Sequence, residues 1–540
     1  MSPSRIPLTT AALHPFLRQS SSRGGAHHHN HHRRKIAIAL SGGVDSSVVA
    51  YLLTKSSQFA QNHDLVGVHM SNWDASDEDD PHCVQEVDYK DARAVAHQLN
   101  LPLQSTSFAA EYWTQVFEPF SEGVEDGRRP NPDVKCNRYI KFGALRNFVQ
   151  STLRADLLAT GHYARLWYRS ADPNCRSSVP ESVQQLLDTN PNLDWIRTWG
   201  EKSNNGYYLS PLLLAARDRS KCQSFFLSSV PGEAFQNVVF PLGDLLKKHN
   251  KKDDSNNNNS INNNNRQHQD PEELTVREVA KMANLPTAHK KDSMGLCFIG
   301  KRPFTDFIDQ YFANTEAHDH PYQFVNVDTG EMVQNEFGES TTNHMVYTRG
   351  QRAKISGASH PWFVVNTDKA ARCIWVCQGT HHPALYTDTI YIQEIHWMAG
   401  DLPTPMQQLA TSTTVSSSVG TTSWSTTDSL PVLHALCRVR NLQPLVKCQV
   451  TYLPDEQIYQ VRTEKPLRAI TPGQHCALYV GDDGLVCLGG GTILERGQTY
   501  WELGKDLSLE QLHPAGHNDL SVNKKRNHQP ATRDKGSIKQ

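Results

Sequence analysis

The sequence predicts an α/β fold built on a parallel sheet, with a smaller antiparallel β-domain toward the C-terminal end. Three observations carry this. Short apolar runs alternate with helical stretches through the first part of the chain, and a glycine turn joins the first run to a helix. Beyond about residue 445 the pattern changes to short strands separated by Pro-Gly and Asp-Asp-Gly turns. At 540 residues and roughly 100–200 per domain, about three domains are expected.

The elements follow in order. Residues 36–40, Ile-Ala-Ile-Ala-Leu, read as a buried strand, and residues 46–53 as the helix after the turn. Residues 65–70 make a second strand, and 86–99 a helix with Val87, Ala94 and Leu99 as buried positions. Residues 157–160 make a further strand. Between 445 and 493, segments such as 458–462 and 477–480 read as short strands. Three stretches read as inserted surface loops or disorder: the polar 170–206, the asparagine tract in 247–270 and the Ser/Thr-rich 409–430. The tail from 506 to 540 is polar and reads as disordered.

Composition removes several function classes. A formal net charge of −2 excludes a globally basic nucleic-acid coat, so any RNA site must be a local patch. Eleven cysteines without dense spacing do not make a disulfide scaffold, and no C-x-x-C pair exists to hold zinc or an iron–sulfur cluster. No metal motif is present. No apolar run nears the roughly 20 residues that span a bilayer. Residues 1–34 carry five arginines with several Ser and Thr, and the first acidic residue is Asp45. That is the composition of an organellar transit segment, with a plain basic tail as the alternative.

The strongest local signal is Ser41-Gly42-Gly43-Val44-Asp45-Ser46-Ser47 between a strand and a helix. Gly42 and Gly43 let the backbone turn and a phosphate approach, while the helix start offers N–H donors and partial positive charge. Asp45 is read as capping the helix or holding Mg²⁺ on the phosphates. The Walker pattern G-x-x-x-x-G-K-[ST] is absent. A second segment reads Pro130-Asn131-Pro132-Asp133-Val134-Lys135-Cys136-Asn137. With Asp133 as N-cap, Cys136 falls in the first turn, where the helix dipole favours thiolate. Tyr139, Phe142, Leu145 and Val149 would then share one face. The alternative for Cys136 is a small buried core residue. A third segment, Asp292-Ser293-Met294-Gly295-Leu296-Cys297-Phe298-Ile299-Gly300, flanks another cysteine with glycines.

The heptad resembles the pyrophosphate loop of N-type ATP pyrophosphatases. Joined with the two cysteine segments and Thr160-Gly161-His162-Tyr163-Ala164-Arg165, the chain resembles the tRNA-specific 2-thiouridylases from about residue 35 to 493. Residues 347–352, 471–474 and 489–493 extend the likeness. The resemblance implies a PP-loop domain over 35–273, a central tRNA-binding domain over 274–355, and a C-terminal β-barrel over 356–505. It implies ATP contact by Ala39, Leu40, Ser41, Gly42, Gly43, Val44, Asp45, Ser46, Met70 and Gly161. Cys136 would be the nucleophile, Cys297 the persulfide carrier and Asp133 the proton-transfer group. Asn131, Pro132, Asp133, Lys221, Cys222, Gln223, Arg438 and Val439 would touch tRNA.

The activity implied is a sulfurtransferase that uses ATP and Mg²⁺ to adenylate the C2 oxygen of the wobble uridine, then delivers persulfide sulfur. The partners implied are tRNA and a cysteine desulfurase or sulfur-relay protein, with no membrane and a monomeric state. With the N-terminal segment, the destination implied is the mitochondrial matrix, with a plastid as the alternative. The competing functions are another pyrophosphatase of ligase or amidase type, and a catalytically silent tRNA-binding paralogue. Neither competitor needs both cysteines. The chain departs from the family pattern at Cys222, where Asp is usual, and at Val439, where Tyr is usual. Arg128, Arg129, Lys141, Lys221 and Arg438 are read as a local basic surface.

Overall fold

The computed structural model describes residues 33–73, 84–168, 180–197, 199, 211–247, 274–292, 304–312, 321–333, 344–356, 359–400, 402–403, 406, 430–481 and 483–508. Residues 1–32 of the arginine-rich N-terminal segment, the Cys297 segment, the asparagine tract and nearly all of 409–430 lie outside these residues, while Arg34, expected in the transit segment, instead opens the first strand by pairing with His63.

The first strands are β1 (Arg34–Ala39), β2 (His63–Ser71), β3 (Leu103–Ser107), β4 (Leu157–Ala159), β5 (Ala164–Trp167), β6 (Leu212–Ala215) and β7 (Val238–Val239). Five of them form a parallel sheet in the order β3-β2-β1-β4-β7. β1 is central: Ile36 pairs with Leu65 on one side and Leu157 on the other, so its short apolar run is buried on both faces. The chain winds to β2 on one side of β1 and later to β4 on the other. The loop after β1 therefore opens at the point where strand order reverses, the usual ligand crevice of such sheets.

Helices cover the sheet. In α1 (Val44–Lys55), Val48, Val49, Leu52 and Leu53 are buried against Ile36 and Ile38. Each such side chain contributes roughly 1.5–3 kcal/mol on full burial. In α2 (Val84–Gln98) the buried face is Ala92, Val95 and Ala96, continued by Leu99, at the i, i+3, i+4, i+7 spacing of one helical stripe. The expected Val87 and Ala94 point outward instead, and Val87 is 50% exposed. Next come α3 (Ala109–Tyr112, a π-helical turn Trp113–Phe117, then Glu118–Glu125) and α4 (Pro132–Lys135, π-helical Cys136–Leu145, then Arg146–Ser151).

The segment 170–206, expected as a loop, contains α5 (Glu181–Thr189) and a 3-10 turn, Pro191–Arg197. Val183, Leu186 and Leu187 are buried, and the Trp199 ring meets Trp397 edge-on at 6.4 Å. The surrounding Ser and Asn residues hid a nine-residue amphipathic helix. Farther on lie α6 (Ser224–Leu227), α7 (Val276–Met282) and α8 (Phe304–Tyr311). Val276, Val279 and Ala280 of α7 join the α1 core, so residues 274–292 belong with the first domain rather than the central one.

A small mixed sheet, ordered β8-β11-β10-β9, is formed by β8 (Gln323–Asn326), β9 (Arg352–Ala353), β10 (Trp362–Asp368) and β11 (Cys373–Gln378). The expected boundary at 355/356 thus moves to between Gln378 and the next strand. That strand, β12 (Tyr386–Trp397), opens an antiparallel barrel with β13 (Val432–Arg438), β14 (Val446–Leu453), β15 (Ile458–Arg468), β16 (His475–Val480) and β17 (Val486–Arg496). The order β12-β15-β14-β13-β16-β17 closes through β12–β17 pairing. The β5–β6 hairpin of the first domain pairs onto the start of β17, with Val486 opposite Leu214 and Cys487 opposite Leu213. The two domains therefore share one hydrogen-bonded sheet.

Candidate active site

The loop after β1 has the conformation an anion needs. Gly42 has φ +77°, and a Cβ there would lie 2.1 Å from the Asp88 carbonyl oxygen, so a side chain fits neither torsion nor space. Gly43 is the N-cap of α1, and no side chain caps that helix start. Ser46 and Ser47 turn their hydroxyls back onto the Gly43 carbonyl at 3.1 and 2.7 Å. The backbone N–H groups of the first turn of α1 have no intrahelical acceptor, the feature that makes a helix start an anion site. These observations fit the phosphates of ATP. Asp45 does not cap the helix, correcting one expectation. Its carboxylate accepts from the Tyr163 hydroxyl at 2.9 Å and from Lys247 Nζ at 2.5 Å. Ala39, Leu40, Ser41, Val44 and Ser46 frame the loop, and Met70 stands at the carboxyl end of β2 beside it.

Lys247 was expected in a disordered insertion; instead its side chain is 2% exposed. Besides Asp45 it meets Asp292 Oδ1 at 3.2 Å, and Asp292 also binds Lys221 at 3.1 Å and Arg277 at 2.5 Å. Burial opposes ionisation of Asp292, but these cations outweigh it and hold the carboxyl well below its ordinary range. Lys290 donates to the Gly42 carbonyl at 3.0 Å, to Asp88 at 2.7 Å and to Asp91 at 2.5 Å. No local sequence pattern announces these partners, because each arrives from a distant part of the chain.

The Cys136 helix is built differently from the expectation. Asn131, not Asp133, is the N-cap: its Oδ1 accepts from Val134 N at 3.3 Å, and Pro132 occupies the first position. Cys136 thus lies past the first turn, where the dipole effect has faded. It begins the π-helical stretch, whose i→i+5 bonding changes which residues share a face. Ile140 and Leu145, five apart, are buried with Phe142 and Val149, whereas Tyr139 is 37% exposed. Cys136 itself is buried at 5% exposure. Asp133, one turn earlier, lies at the surface. The protein around it still withholds enough water to raise its carboxyl above the usual range, against the pull of Lys141.

One segment joins the two halves. Gly161 packs against the loop, a Cβ there being 3.1 Å from Ser46 N, and Tyr163 reaches Asp45. Thr160 and His162 turn toward α4: Thr160 Oγ1 lies 2.7 Å from His162 Nδ1, and His162 Nε2 lies 3.0 Å from Asn137 Oδ1. Asn137 in turn donates to the Asp133 carbonyl at 2.9 Å. Burial drives the His162 pKa well below its ordinary value, so the ring is neutral. A neutral ring that donates from Nε2 accepts the Thr160 proton at Nδ1. Alternate residues of one segment thereby hold the phosphate loop and the turn that carries Cys136.

The expected RNA contacts divide. Cys222 and Val439 are buried, at 4% and 3% exposure, so their side chains do not face solvent. Cys222 Sγ accepts from Ala216 N at 3.4 Å, and the Gln223 side chain accepts from Tyr163 N at 2.9 Å. Lys221 is held by Asp292, and the Arg438 guanidinium lies 5.3 Å from the Tyr479 ring centroid. Arg129, expected on a basic surface, is 6% exposed. It donates to the carbonyls of Met345, Tyr347 and Arg128 at 2.6–2.7 Å and to Thr348 Oγ1 at 3.0 Å. Its own backbone pairs with Pro472 O and Gln474 Nε2. It is the junction of all three domains. Asn131 is half-buried and Asp133 exposed, next to that junction.

Comparison with known proteins agrees with this architecture. A family model described as the tRNA methyl transferase HUP domain matches residues 34–271, and one described as an aminomethyltransferase beta-barrel domain matches residues 416–493. The chain is 32% identical over 477 residues to mitochondrial tRNA-specific 2-thiouridylase 1 of Gallus gallus, covering 88% of this chain and 95% of that protein. It is 33% identical to the Homo sapiens protein of the same name, covering 87% and 92%. It is 32% identical to tRNA-specific 2-thiouridylase MnmA of Shewanella sp. (strain MR-7), covering 85% and 95%. A glycine loop between strand and helix, a helix carrying a thiol and a closed barrel accompany a match over nearly the full length of these relatives, and the chain belongs to the tRNA-specific 2-thiouridylase family.

Proposed function

We propose that this chain is a mitochondrial tRNA 2-thiouridylase, which activates the C2 oxygen of the wobble uridine with ATP and replaces it with sulfur. The observation that carries the reading is the 160–163 segment, which holds the phosphate loop through Gly161 and Tyr163 and the Cys136 turn through His162. Activation and sulfur transfer need these two sites in one crevice.

A uracil carbonyl oxygen leaves poorly; ATP supplies the adenylyl group that lets it depart as AMP. The free N–H groups at the start of α1 would bind the phosphates, and Asp45 would hold Mg²⁺ with them. Asp133 lies at the surface with a carboxyl that burial by its surroundings holds above its ordinary range, and it would carry a proton beside the base. Cys297 holds the persulfide, loaded by a cysteine desulfurase or relay protein. The Cys136 thiolate attacks the inner sulfur of the persulfide, forming a Cys136–Cys297 disulfide and releasing sulfide for the activated carbon. Cys297 is five positions after Asp292 in the sequence, a span of at most about 17 Å for any chain of that length. Asp292 itself is anchored through Lys247 to the loop. In this reading the protein acts as a monomer.

The test is mass spectrometry of wobble uridines in organellar tRNA from cells lacking the gene, rescued by wild type or by Cys297→Ser. Loss of 2-thiouridine restored only by the wild type is expected. Unchanged 2-thiouridine in the deletion would sink the reading. The address is tested separately: a fluorescent protein fused behind residues 1–40 should enter mitochondria. Retention in the cytosol removes that part alone.

A further inference from the structure

Lys247 is a charged group that the reaction above leaves without a task. Its ammonium lies 2.5 Å from Asp45 Oδ1, 3.2 Å from Asp292 Oδ1 and 5.7 Å from the Tyr163 ring centroid, almost fully removed from water. Its backbone N–H donates to Asp218 Oδ2 at 2.9 Å, which fixes where the side chain starts. Burying an ammonium costs several kcal/mol unless its geometry compensates. An ammonium has three N–H donors. Two face carboxylates here, and the third has no partner among the described residues.

The other ammonium at the loop differs. Lys290 directs its three donors to the Gly42 carbonyl, Asp88 and Asp91, and is saturated. The loop contributes no lysine of its own between Ser41 and Ser47. Around Lys247 stand Lys221, Lys247 and Arg277 against Asp45, Asp218 and Asp292, three formal positive charges and three negative, so the ammonium is balanced in charge but not in hydrogen bonds. A phosphate seated on the first N–H groups of α1 lies beside Asp45, the second residue of that helix, and so beside the Lys247 ammonium. The remaining donor, its place beside the helix start and the absent loop lysine converge on one role.

We propose that Lys247 is a phosphate ligand of the nucleotide site: its ammonium binds the pyrophosphate end of ATP, and Asp292 positions it. The proposal rests on the reading that the loop binds ATP. It replaces the Walker lysine with one from a different part of the chain. Because Asp292 opens the segment that leads to Cys297, Lys247 also stands between the nucleotide and the root of the sulfur-carrying segment.

Calorimetric titration of the full-length protein tests this, using Mg²⁺ with α,β-methylene ATP and, separately, AMP, on wild type and Lys247→Met. The variant should bind the ATP analogue at least about tenfold more weakly, while AMP affinity stays within about twofold. Unchanged affinity for the analogue, or equal weakening of both ligands, overturns the proposal. If the wild type binds neither ligand, the ATP reading itself has failed. Should Lys247→Met not fold, a crystal structure of the wild type with the analogue decides. Lys247 Nζ within hydrogen-bonding distance of a phosphate oxygen supports the proposal; Nζ bound only to Asp45 and Asp292 overturns it.

Discussion

The glycine loop and the Cys136 helix flank the same short segment, yet their chemistry is specified in different ways. The loop is set by neighbouring residues: a φ of +77° at Gly42, an uncapped helix start and serines folded back on Gly43. The Cys136 turn is set from a distance, by His162 on Asn137 and by a π-helical stretch that a 3.6-residue period does not anticipate. The difference teaches that a phosphate site can be encoded in seven consecutive residues, because the backbone itself is the ligand. A side-chain nucleophile has to be aimed by the fold around it.

If the two halves are separable in this way, mutations should divide their functions. The largest effect is expected from Cys136→Ser, which should lower thiolation at least about a thousandfold while leaving ATP affinity unchanged. Single-turnover assays with persulfide-loaded enzyme measure it, and substantial residual thiolation would remove Cys136 as nucleophile. Gly42→Ala is the converse. The left-handed torsion costs about 1–2 kcal/mol, and the new Cβ meets the Asp88 carbonyl oxygen at 2.1 Å, so the loop must move. Nucleotide affinity should fall by roughly a hundredfold, equivalent to about 3 kcal/mol, with the alkylation rate of Cys136 unaffected. Parallel losses in both would show that the halves are one unit.

Arg129→Met should destabilise folding by about 2–4 kcal/mol, since it strands buried carbonyls of Met345 and Tyr347. Thermal or denaturant unfolding measures this. The salt dependence of tRNA binding should be the same as in wild type, because the guanidinium is internal; a shallower slope would return Arg129 to the RNA surface.

The smallest effect concerns pH. Burial lowers the pKa of His162 and takes that of His475 to about 3. In the unfolded chain both bind a proton near pH 6.5, so below that pH the unfolded state holds more protons. Stability should therefore fall as the pH drops from 6.5, and the part due to His475 is lost progressively until about pH 3. His475 contributes about 1.4 kcal/mol by pH 5.5. Denaturant melts at pH 7.5 and 5.5 should show a difference smaller by about that amount in His475→Gln.

Much of the fold was legible because its signals are local. Residues 36–40 form the doubly buried strand expected of them, and the alternating pattern after 445 belongs to a closed barrel. Three things were not legible. Lys247 sits beside an asparagine tract, and its partner Asp45 lies more than two hundred residues earlier. The helix cap moved from Asp133 to Asn131, because Pro132 suits the first helical position as well as it suits a break before it. Arg129 looked like a surface cation, since nothing in its sequence neighbourhood shows that two other domains close over it. Charge patterning detects a cation but not its burial.

The hairpin that β5 and β6 lend to the barrel has a consequence for handling this protein. Leu212, Leu213, Leu214 and Ala215 are buried by it, at 0–2% exposure. A fragment cut after the small sheet would leave β6 as a bare apolar edge with unpaired N–H and C=O groups, a template for pairing with other chains. Such truncations should aggregate, and unfolding of the intact molecule should begin with the barrel and the nucleotide domain parting together. The barrel therefore supplies the strand that closes an edge which the earlier part of the chain leaves open.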